Sequence, residues 1–242
     1  MKTAVAMALG AAMVCAGSTF SHAVIVKDGS NTTLFYDNFE GGTIGSTPTA
    51  ITGTWSTSIS TGGGAYVQST PAPAYEGSKY LQMTRPATAF ADFGKQTTGT
   101  LHSEFMMYIQ SADAAEHGAQ VILRDDALSA YAIILSTRSS GNVNYYDGAG
   151  YVDSLATYTA DTWQKWTLDV NLTTDTYQFS VAGVNGLAVP DSLHEGATDA
   201  RYLIFSGGGG THPQYLVDAV PEPTSAVALL GVVGLWASRR RR

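Results

Sequence analysis

The sequence predicts an all-β protein, a two-sheet antiparallel β-sandwich or a barrel, flanked by an N-terminal signal peptide and a short hydrophobic C-terminal helix. Gly, Ser and Thr are abundant between residues 24 and 219, and Tyr is frequent, as in proteins built from short strands and turns. The same region has short alternating stretches and no long helical periodicity. It is also long enough to bury one sizeable core without disulfides.

The first 23 residues have the pattern of a secretory signal peptide. Lys2 precedes the apolar run TAVAMALGAAMVCAG, and the small residues Ser21 and Ala23 stand third and first before Val24. We therefore expect cleavage after Ala23 and export of the remaining chain. Cys15 is the only cysteine, so the exported chain contains neither a disulfide nor a thiolate.

Several strands are predicted from alternating apolar and polar residues. The clearest are LHSEFMMYIQ, AQVILRD, YAIILSTR and GNVNYYDG, at residues 101–110, 119–125, 131–138 and 141–148. A hairpin is predicted further along, because two alternating triplets flank the polar turn NLTTDT. The triplets are Trp166, Leu168 and Val170 before the turn, and Tyr177, Phe179 and Val181 after it.

This hairpin resembles that of laminin-G-like and concanavalin-A-like jelly rolls, in which a Trp precedes one strand and a Tyr-led strand returns to a Gly. The stretches FYDNFEGGTIGSTP, YEGSKYLQM and YLVDAV are similar to other parts of these folds. The resemblance implies that residues 24–219 form one domain of this type. Trp55, Trp163 and Trp166 are expected in its core.

The charge of this body excludes two classes of partner. Residues 24–219 carry eight basic and nineteen acidic side chains, a net charge of about −11. Such a surface does not attract nucleic acid or an anionic membrane. It is compatible with neutral glycans, with divalent cations or with solubility alone.

No known catalytic motif is found. Enzymes resembling family 16 glycoside hydrolases carry Glu-x-Asp-x-x-Glu on one strand, and no Glu of the body is followed two residues later by an acid. Glu104 is expected on a solvated face. The sequence also lacks a Gly-x-Ser-x-Gly elbow, a phosphate loop and His-Glu-x-x-His. His102, His117, His194 and His212 have no metal-ligand spacing and are expected at the surface. No catalytic residue is assigned.

Two candidate binding sites remain. Carbohydrate-binding jelly rolls often use calcium to connect the first strand to the last, and oxygen ligands are offered at those places by Asp37, Asn38, Glu40 and Asp218. The alternative is that Asp37 and Asp218 cap turns or face water. Calcium is the only cofactor that the sequence indicates.

The second candidate is a glycan platform in a predicted hairpin. Tyr145, Tyr146 and Asp147, together with Tyr151, place aromatic rings beside amide and carboxylate groups, and sugar rings stack on exposed aromatic faces. Because Tyr145 and Tyr146 alternate, at most one of them should lie in the core. The alternative is that these tyrosines only cover the sheet.

The C-terminal 23 residues have the pattern of a sorting signal. Val220, Pro221, Glu222 and Pro223 precede an uncharged stretch, whose apolar part is the twelve residues from Ala226 to Ala237, and then the cluster Arg239, Arg240, Arg241 and Arg242. Twelve residues make about 18 Å of helix, against a hydrocarbon core of roughly 30 Å, so the anchor is weak. The pattern resembles the PEP-CTERM sorting domain, which an exosortase processes near Pro-Glu-Pro. It implies a transient inner-membrane anchor and a final location at the cell surface or in the extracellular matrix.

Three function classes remain open. The first is a non-catalytic surface or matrix module that binds carbohydrate and associates with exopolysaccharide. The second is a divergent polysaccharide hydrolase or lyase on the same fold. The third is a purely structural or adhesive matrix protein. The predicted organisation is a signal peptide at 1–23, the sandwich at 24–219 and the sorting signal at 220–242.

Overall fold

The computed structural model describes residues 21–22, 24–59, 64–70, 73–75, 77–84, 86–111, 118–207, 214–218 and 220–221. These belong to one unit that runs from Ser21 to Pro221. The rest of the predicted signal peptide and the segment 222–242, with its predicted helix and arginine cluster, lie outside the described residues. Within the described residues, no helix is long and apolar enough to cross a membrane.

The first sheet, called sheet I, has seven described strands in the order β12-β11-β10-β9-β17-β7-β4, with every neighbouring pair antiparallel. In chain order the strands are β4 (Thr54–Ile59), β7 (Ala87–Gln96), β9 (Ala119–Arg124), β10 (Tyr131–Thr137), β11 (Asn142–Tyr146), β12 (Tyr151–Thr157) and β17 (Ala200–Gly207).

The second sheet, called sheet II, has ten described strands, of which seven follow the order β15-β14-β13-β8-β18-β6-β5. In chain order they are β2 (Val24–Asp28), β3 (Thr33–Asp37), β5 (Gly64–Gln68), β6 (Tyr80–Thr84), β8 (Thr100–Ile109), β13 (Trp163–Asn171), β14 (Thr176–Val181), β15 (Val184–Asn185), β16 (Asp191–Ser192) and β18 (Gln214–Asp218). β16 adds to β14, and β2 lies between β3 and β8.

The first and last strands of the sandwich meet on one edge of β8. β18 pairs with its residues 106–109, and β2 continues along the same edge from Phe105 to Leu101. Next to them a two-stranded ladder joins β1 (Ser21–His22) to β19 (Val220–Pro221). Two residues of the predicted sorting motif are therefore part of this ladder.

The core lies between the inner faces of the two sheets. Phe105 of sheet II and Phe205 of sheet I pack edge to face, with ring centroids 5.1 Å apart, and Trp55 packs against Phe35 at 5.0 Å. Trp166 stacks on Phe105 at 6.4 Å. These side chains are almost fully buried. The structure confirms the predicted all-β sandwich and the core positions of Trp55 and Trp166.

The predicted hairpin is confirmed in its register. β13 and β14 pair so that Leu168 lies opposite Phe179 and Val170 lies opposite Tyr177, and these four side chains are buried in the core. Cross-strand partners share a face of the sheet, so each alternating triplet faces the core as a unit.

Trp163 is not in the core between the sheets, so its prediction was wrong. It lies on the outer face of sheet II, where its ring centroid is 5.5 Å from that of Tyr108 and 6.2 Å from that of Tyr75, and its indole N–H donates to the Pro73 carbonyl at 3.0 Å. The physical reason is the two-residue period of a strand. Trp166 faces inward, and a residue three positions earlier must face outward.

Candidate functional site

A groove of about 410 Å³ crosses the outer face of sheet I. Five strands contribute to it, namely β7, β9, β10, β12 and β17. Its lining residues are Thr88, Phe90, Gln120, Ile122, Arg124, Tyr131, Ile134, Tyr151, Ile204 and Ser206. We call this the sheet I groove.

Alternation along each strand gives the groove its residues. On β9 the side chains of Ala119, Val121 and Leu123 are buried in the core, so the residues between them face the groove. The ladder then aligns Phe90 with Ile204, Ile204 with Ile122, and Ile122 with Ile134. These four side chains form an apolar floor that runs across four strands.

Arg124 is the only charged residue among the described lining residues of the groove. Its guanidinium carbon lies 4.1 Å from the centroid of the Tyr131 ring, a cation–π contact, and Nη2 donates to the carbonyl of Leu128. Its Nε is buried. The guanidinium is therefore held in place, although its Nε–H donor has no hydrogen-bond partner among the described residues.

Two further polar groups stand beside the apolar floor. The side-chain amide of Gln120 donates to the Tyr151 hydroxyl at 3.3 Å. Burial raises the pKa of that hydroxyl above its usual value, so it stays neutral at physiological pH and keeps its proton. The groove thus combines aromatic rings, neutral hydrogen-bonding groups and one cation, which is a composition suited to a polar ligand with apolar faces.

The four residues predicted as a glycan platform do not form one site. Tyr151 lines the sheet I groove, whereas Tyr145 and Asp147 line a neighbouring groove of about 380 Å³. Tyr146 packs edge to face between Tyr151, at 5.8 Å, and His194, at 6.0 Å. Asp147 bonds the amides that follow it in the β11–β12 turn, which lowers the pKa of its carboxyl.

The residues predicted to bind calcium do not converge on one point. Asp37 pairs with Val24 in the ladder and shares the inner face of sheet II. Asp218 lies opposite Met106, the neighbour of the inward-facing Phe105, and therefore points to the outer face. One ion cannot contact both carboxylates across the sheet. No group of three His, Cys, Asp or Glu side chains in the described ranges is arranged to hold a metal ion.

The side-chain oxygens of the four residues predicted to bind calcium already accept hydrogen bonds from the protein. Asp37 accepts hydrogen bonds from the Phe39 amide at 2.9 Å and the Trp55 indole at 2.5 Å. Glu40 accepts from the amides of Ser78 and Lys79, at 2.8 and 2.7 Å, and connects two loops. The Tyr75 amide donates to Asp218 at 2.6 Å, and Asn38 accepts from the Glu40 amide at 3.2 Å. These contacts give the residues a structural role in loops.

The histidines divide between surface and interior. His102 lies on the outer face of sheet II, as expected. Its Nδ1 lies 2.6 Å from Asp169 and its Nε2 lies 2.9 Å from Glu104. Hydrogen bonding to these two carboxylates raises the pKa of His102 to about 9. His194 is only 9% exposed and packs between Tyr146 and Tyr177, so the surface prediction was wrong for it. Its backbone amide donates to the Ala132 carbonyl at 3.0 Å, which holds its loop against β10. His117 and His212 lie outside the described residues.

A second groove, of about 460 Å³, contains His102 and Asp169 where β8, β13 and β14 of sheet II lie side by side. Glu104 beside it also binds Lys165 at 2.7 Å, and its contact with His102 is the main reason that its pKa falls to about 2. The charged groups there neutralise one another. This groove is therefore a weaker candidate than the sheet I groove, where Arg124 makes no ion pair with a described carboxylate. The neighbouring Asp125 feels the charge of Arg124, but its carboxylate is bonded to the amides of its own turn.

Sequence reasoning missed most of the sheet I groove. The strand of residues 119–125 was predicted, but Gln120 and Arg124 were not singled out, although both alternate with buried residues. That alternation was the available signal. It shows which side chains leave the core, but not which strands stand beside each other.

No protein-family model and no curated protein matches this chain. Among solved structures, it is similar to cellulose-induced protein Cip1 with a TM-score of 0.53 and 15% identity, over 76% of this chain and 94% of that one. An endo-β-1,4-glucuronan lyase from Trichoderma reesei gives a TM-score of 0.52 and 12% identity. The matched region covers 81% of this chain and 93% of the lyase chain. A sialidase gives a TM-score of 0.49 and 13% identity. The matched region covers 66% of this chain and only 17% of the sialidase chain.

These likenesses show the fold and nothing finer, because all the identities are low. The chain is a concanavalin A-like jelly-roll β-sandwich. Such folds carry many unrelated sites, so an argument about function has to start from the groove itself.

Proposed function

We propose that the protein is exported and binds a carbohydrate in the sheet I groove. The observation that carries the proposal is the combination of an apolar floor with flanking tyrosines, Gln120 and Arg124 in one groove of about 410 Å³. Sugar rings have apolar faces that pack on aromatic rings and hydroxyl groups that need hydrogen-bond partners. The size falls within the usual range for small-molecule sites, roughly 300–1,000 Å³.

Affinity electrophoresis tests this function. We expect the purified protein to be retarded in native gels that contain its glycan, and Tyr131→Ala or Tyr151→Ala to reduce the retardation. Tyr75→Ala is the matched control, because Tyr75 is 44% exposed and lies on the outer side of sheet II. Equal retardation of all three variants would place the binding elsewhere, and no retardation in a broad panel would favour the purely structural class.

We further propose that the C-terminal segment is a sorting signal that an exosortase-type enzyme processes. Its support is the sequence pattern, in which Val-Pro-Glu-Pro precedes an apolar stretch and four arginines. The protein would then pass through a transient membrane-anchored form on its way to the surface or the matrix. Mass spectrometry of the exported protein should find the tail removed, and Pro221→Ala should leave it attached. A full-length tail on the exported wild-type protein would reject the proposal.

A lyase is the second candidate, favoured by the chemistry of the groove. None of its ten described lining residues is Asp or Glu, so the carboxylate pair of a glycosidase is not among them. Tyrosine hydroxyls can move protons, and a guanidinium can stabilise developing negative charge. Prolonged incubation with polyuronates should then release products with unsaturated ends. Binding without such products would leave the protein as a binding module.

A further inference from the structure

We infer that the sheet I groove selects glycans that contain uronic acids, because Arg124 supplies a site for the sugar carboxylate. The inference rests on the proposed function and makes its ligand class specific. It starts from the charge of the groove. Arg124 is cationic at every physiological pH, and no carboxylate stands among the other described lining residues.

Among the described residues, the neighbouring cations of sheet I, unlike Arg124, form ion pairs with carboxylates of the protein. Arg201 contacts Asp92 at 2.8 Å and Asp126 at 2.6 Å, and Lys95 contacts Asp199 at 2.9 Å. In the described part of the chain Arg124 has no such partner. In a body with a net charge of about −11, a cation that makes no ion pair with a described carboxylate is available to an anionic ligand.

The position of Arg124 is also fixed before any ligand arrives. Tyr131 lies against one side of the guanidinium, and Leu128 accepts a hydrogen bond from Nη2. The turn that holds Leu128 is itself fixed, because Asp125 accepts bonds from the amides of Ser129 at 2.8 Å and Ala130 at 3.0 Å. A pre-positioned side chain loses little conformational freedom on binding.

The guanidinium is incompletely bonded, and its planar fork matches a carboxylate. The buried Nε has no partner among the described residues. Arg–carboxylate contacts are short, charge-assisted and frequently bidentate. The apolar floor next to Arg124 then offers a surface for the face of the same sugar ring, so the two features together recognise a uronate rather than a free anion.

The test compares matched ligands on the full exported protein. Titration calorimetry would use oligomers of galacturonate, glucuronate and mannuronate, each beside its carboxyl-reduced neutral counterpart. We expect at least one uronate oligomer to bind at least about tenfold more tightly than its neutral counterpart, and this preference to weaken as salt is raised.

Variants then assign the preference to one residue. Arg124→Gln should lose about tenfold or more in affinity for the uronate, and Arg124→Lys should retain part of it, since the charge remains but the fork is lost. Lys27→Gln is the control, because it removes the same charge from β2 of sheet II. The ligand comparison uses wild-type protein, so it remains decisive even if an Arg124 variant fails to fold.

The outcomes separate this inference from the proposed function. Equal binding of a uronate and its neutral counterpart would overturn the inference and leave glycan binding intact. A sulfated neutral glycan that binds as tightly as the uronates would overturn the assignment to carboxylate. No binding of any oligomer would overturn both proposals.

Discussion

At the scale of single residues, the pair formed by Asp37 and Trp55 shows how the core holds a carboxylate. Asp37 is 2% exposed, and burial raises its pKa to about 6, although hydrogen bonds from the Phe39 amide and the Trp55 indole favour the charged form. The folded-state pKa is above the unfolded value of 3.8. The contribution of Asp37 to stability is therefore greatest below pH 4 and is lost as the pH rises through about 6.

We predict that Trp55→Phe destabilises the protein more at pH 8 than at pH 5. The substitution removes a donor from a buried carboxyl group, which costs about 1–3 kcal/mol for a neutral group and more for a charged one. At pH 5 the folded-state carboxyl is largely protonated and the loss is smaller. Urea unfolding at the two pH values measures the difference in the free energy of unfolding.

Trp166→Phe is the control for this prediction. Trp166 is also buried, but its indole N–H has no hydrogen-bond partner among the described residues. Its substitution should cost the same at both pH values, since only packing is lost. An equal loss at both pH values for Trp55→Phe would show that the bond to Asp37 does not matter.

At the scale of elements, the strands were predictable because one face of each strand is buried. The hairpin of β13 and β14 followed from its two alternating triplets, and its register is as expected. The arrangement of the residues predicted to bind calcium is also decided at this scale. Asp37 pairs with β2 and Asp218 belongs to β18, and both of these strands lie along one edge of β8. The faces on which the two carboxylates lie depend on register, which residue types alone do not reveal.

A glycine before β4 gives a prediction about a connection. Gly53 has a φ of +81°, and a Cβ placed there would be 2.5 Å from Phe35 Cδ2 and 2.8 Å from the Asp92 carbonyl oxygen. We expect Gly53→Ala to cost about 1–2 kcal/mol for the left-handed backbone and a further 1–3 kcal/mol or so for overpacking. Thermal unfolding would measure the loss of stability.

Gly94→Ala separates the two contributions. Gly94 in β7 has a φ of +78°, but an added Cβ would meet no atom within 4 Å. This variant should show the backbone cost alone. If the two variants were equally stable, the close approach of Phe35 and Asp92 to Gly53 would add nothing to the loss in the free energy of unfolding.

At the scale of the whole molecule, the candidate site is a product of strand order. The sheet I groove takes residues from Thr88 to Ser206, and its five strands are separated in sequence by loops and by strands of sheet II. Reasoning from the sequence could group only neighbours along the chain, such as Tyr145 to Tyr151. Tyr151 is the one predicted residue that the groove retains.

The distribution of charge belongs to the same scale. The body is strongly acidic, yet the groove has a cation and no carboxylate among its described lining residues. A net charge computed from composition cannot show such a local reversal of sign. For this reason the composition was compatible with neutral glycans, divalent cations or solubility alone, whereas the cation in the groove is the basis on which we propose acidic glycans.

The central claim is that a glycan occupies the sheet I groove, and chemical-shift mapping by NMR tests it most directly. An oligosaccharide selected by the affinity gels would be titrated into the isotope-labelled protein. We expect the largest shifts at Gln120, Arg124, Tyr131 and Tyr151. Shifts confined to the groove of Tyr145 and Asp147, or to the surface around Trp163, would contradict it.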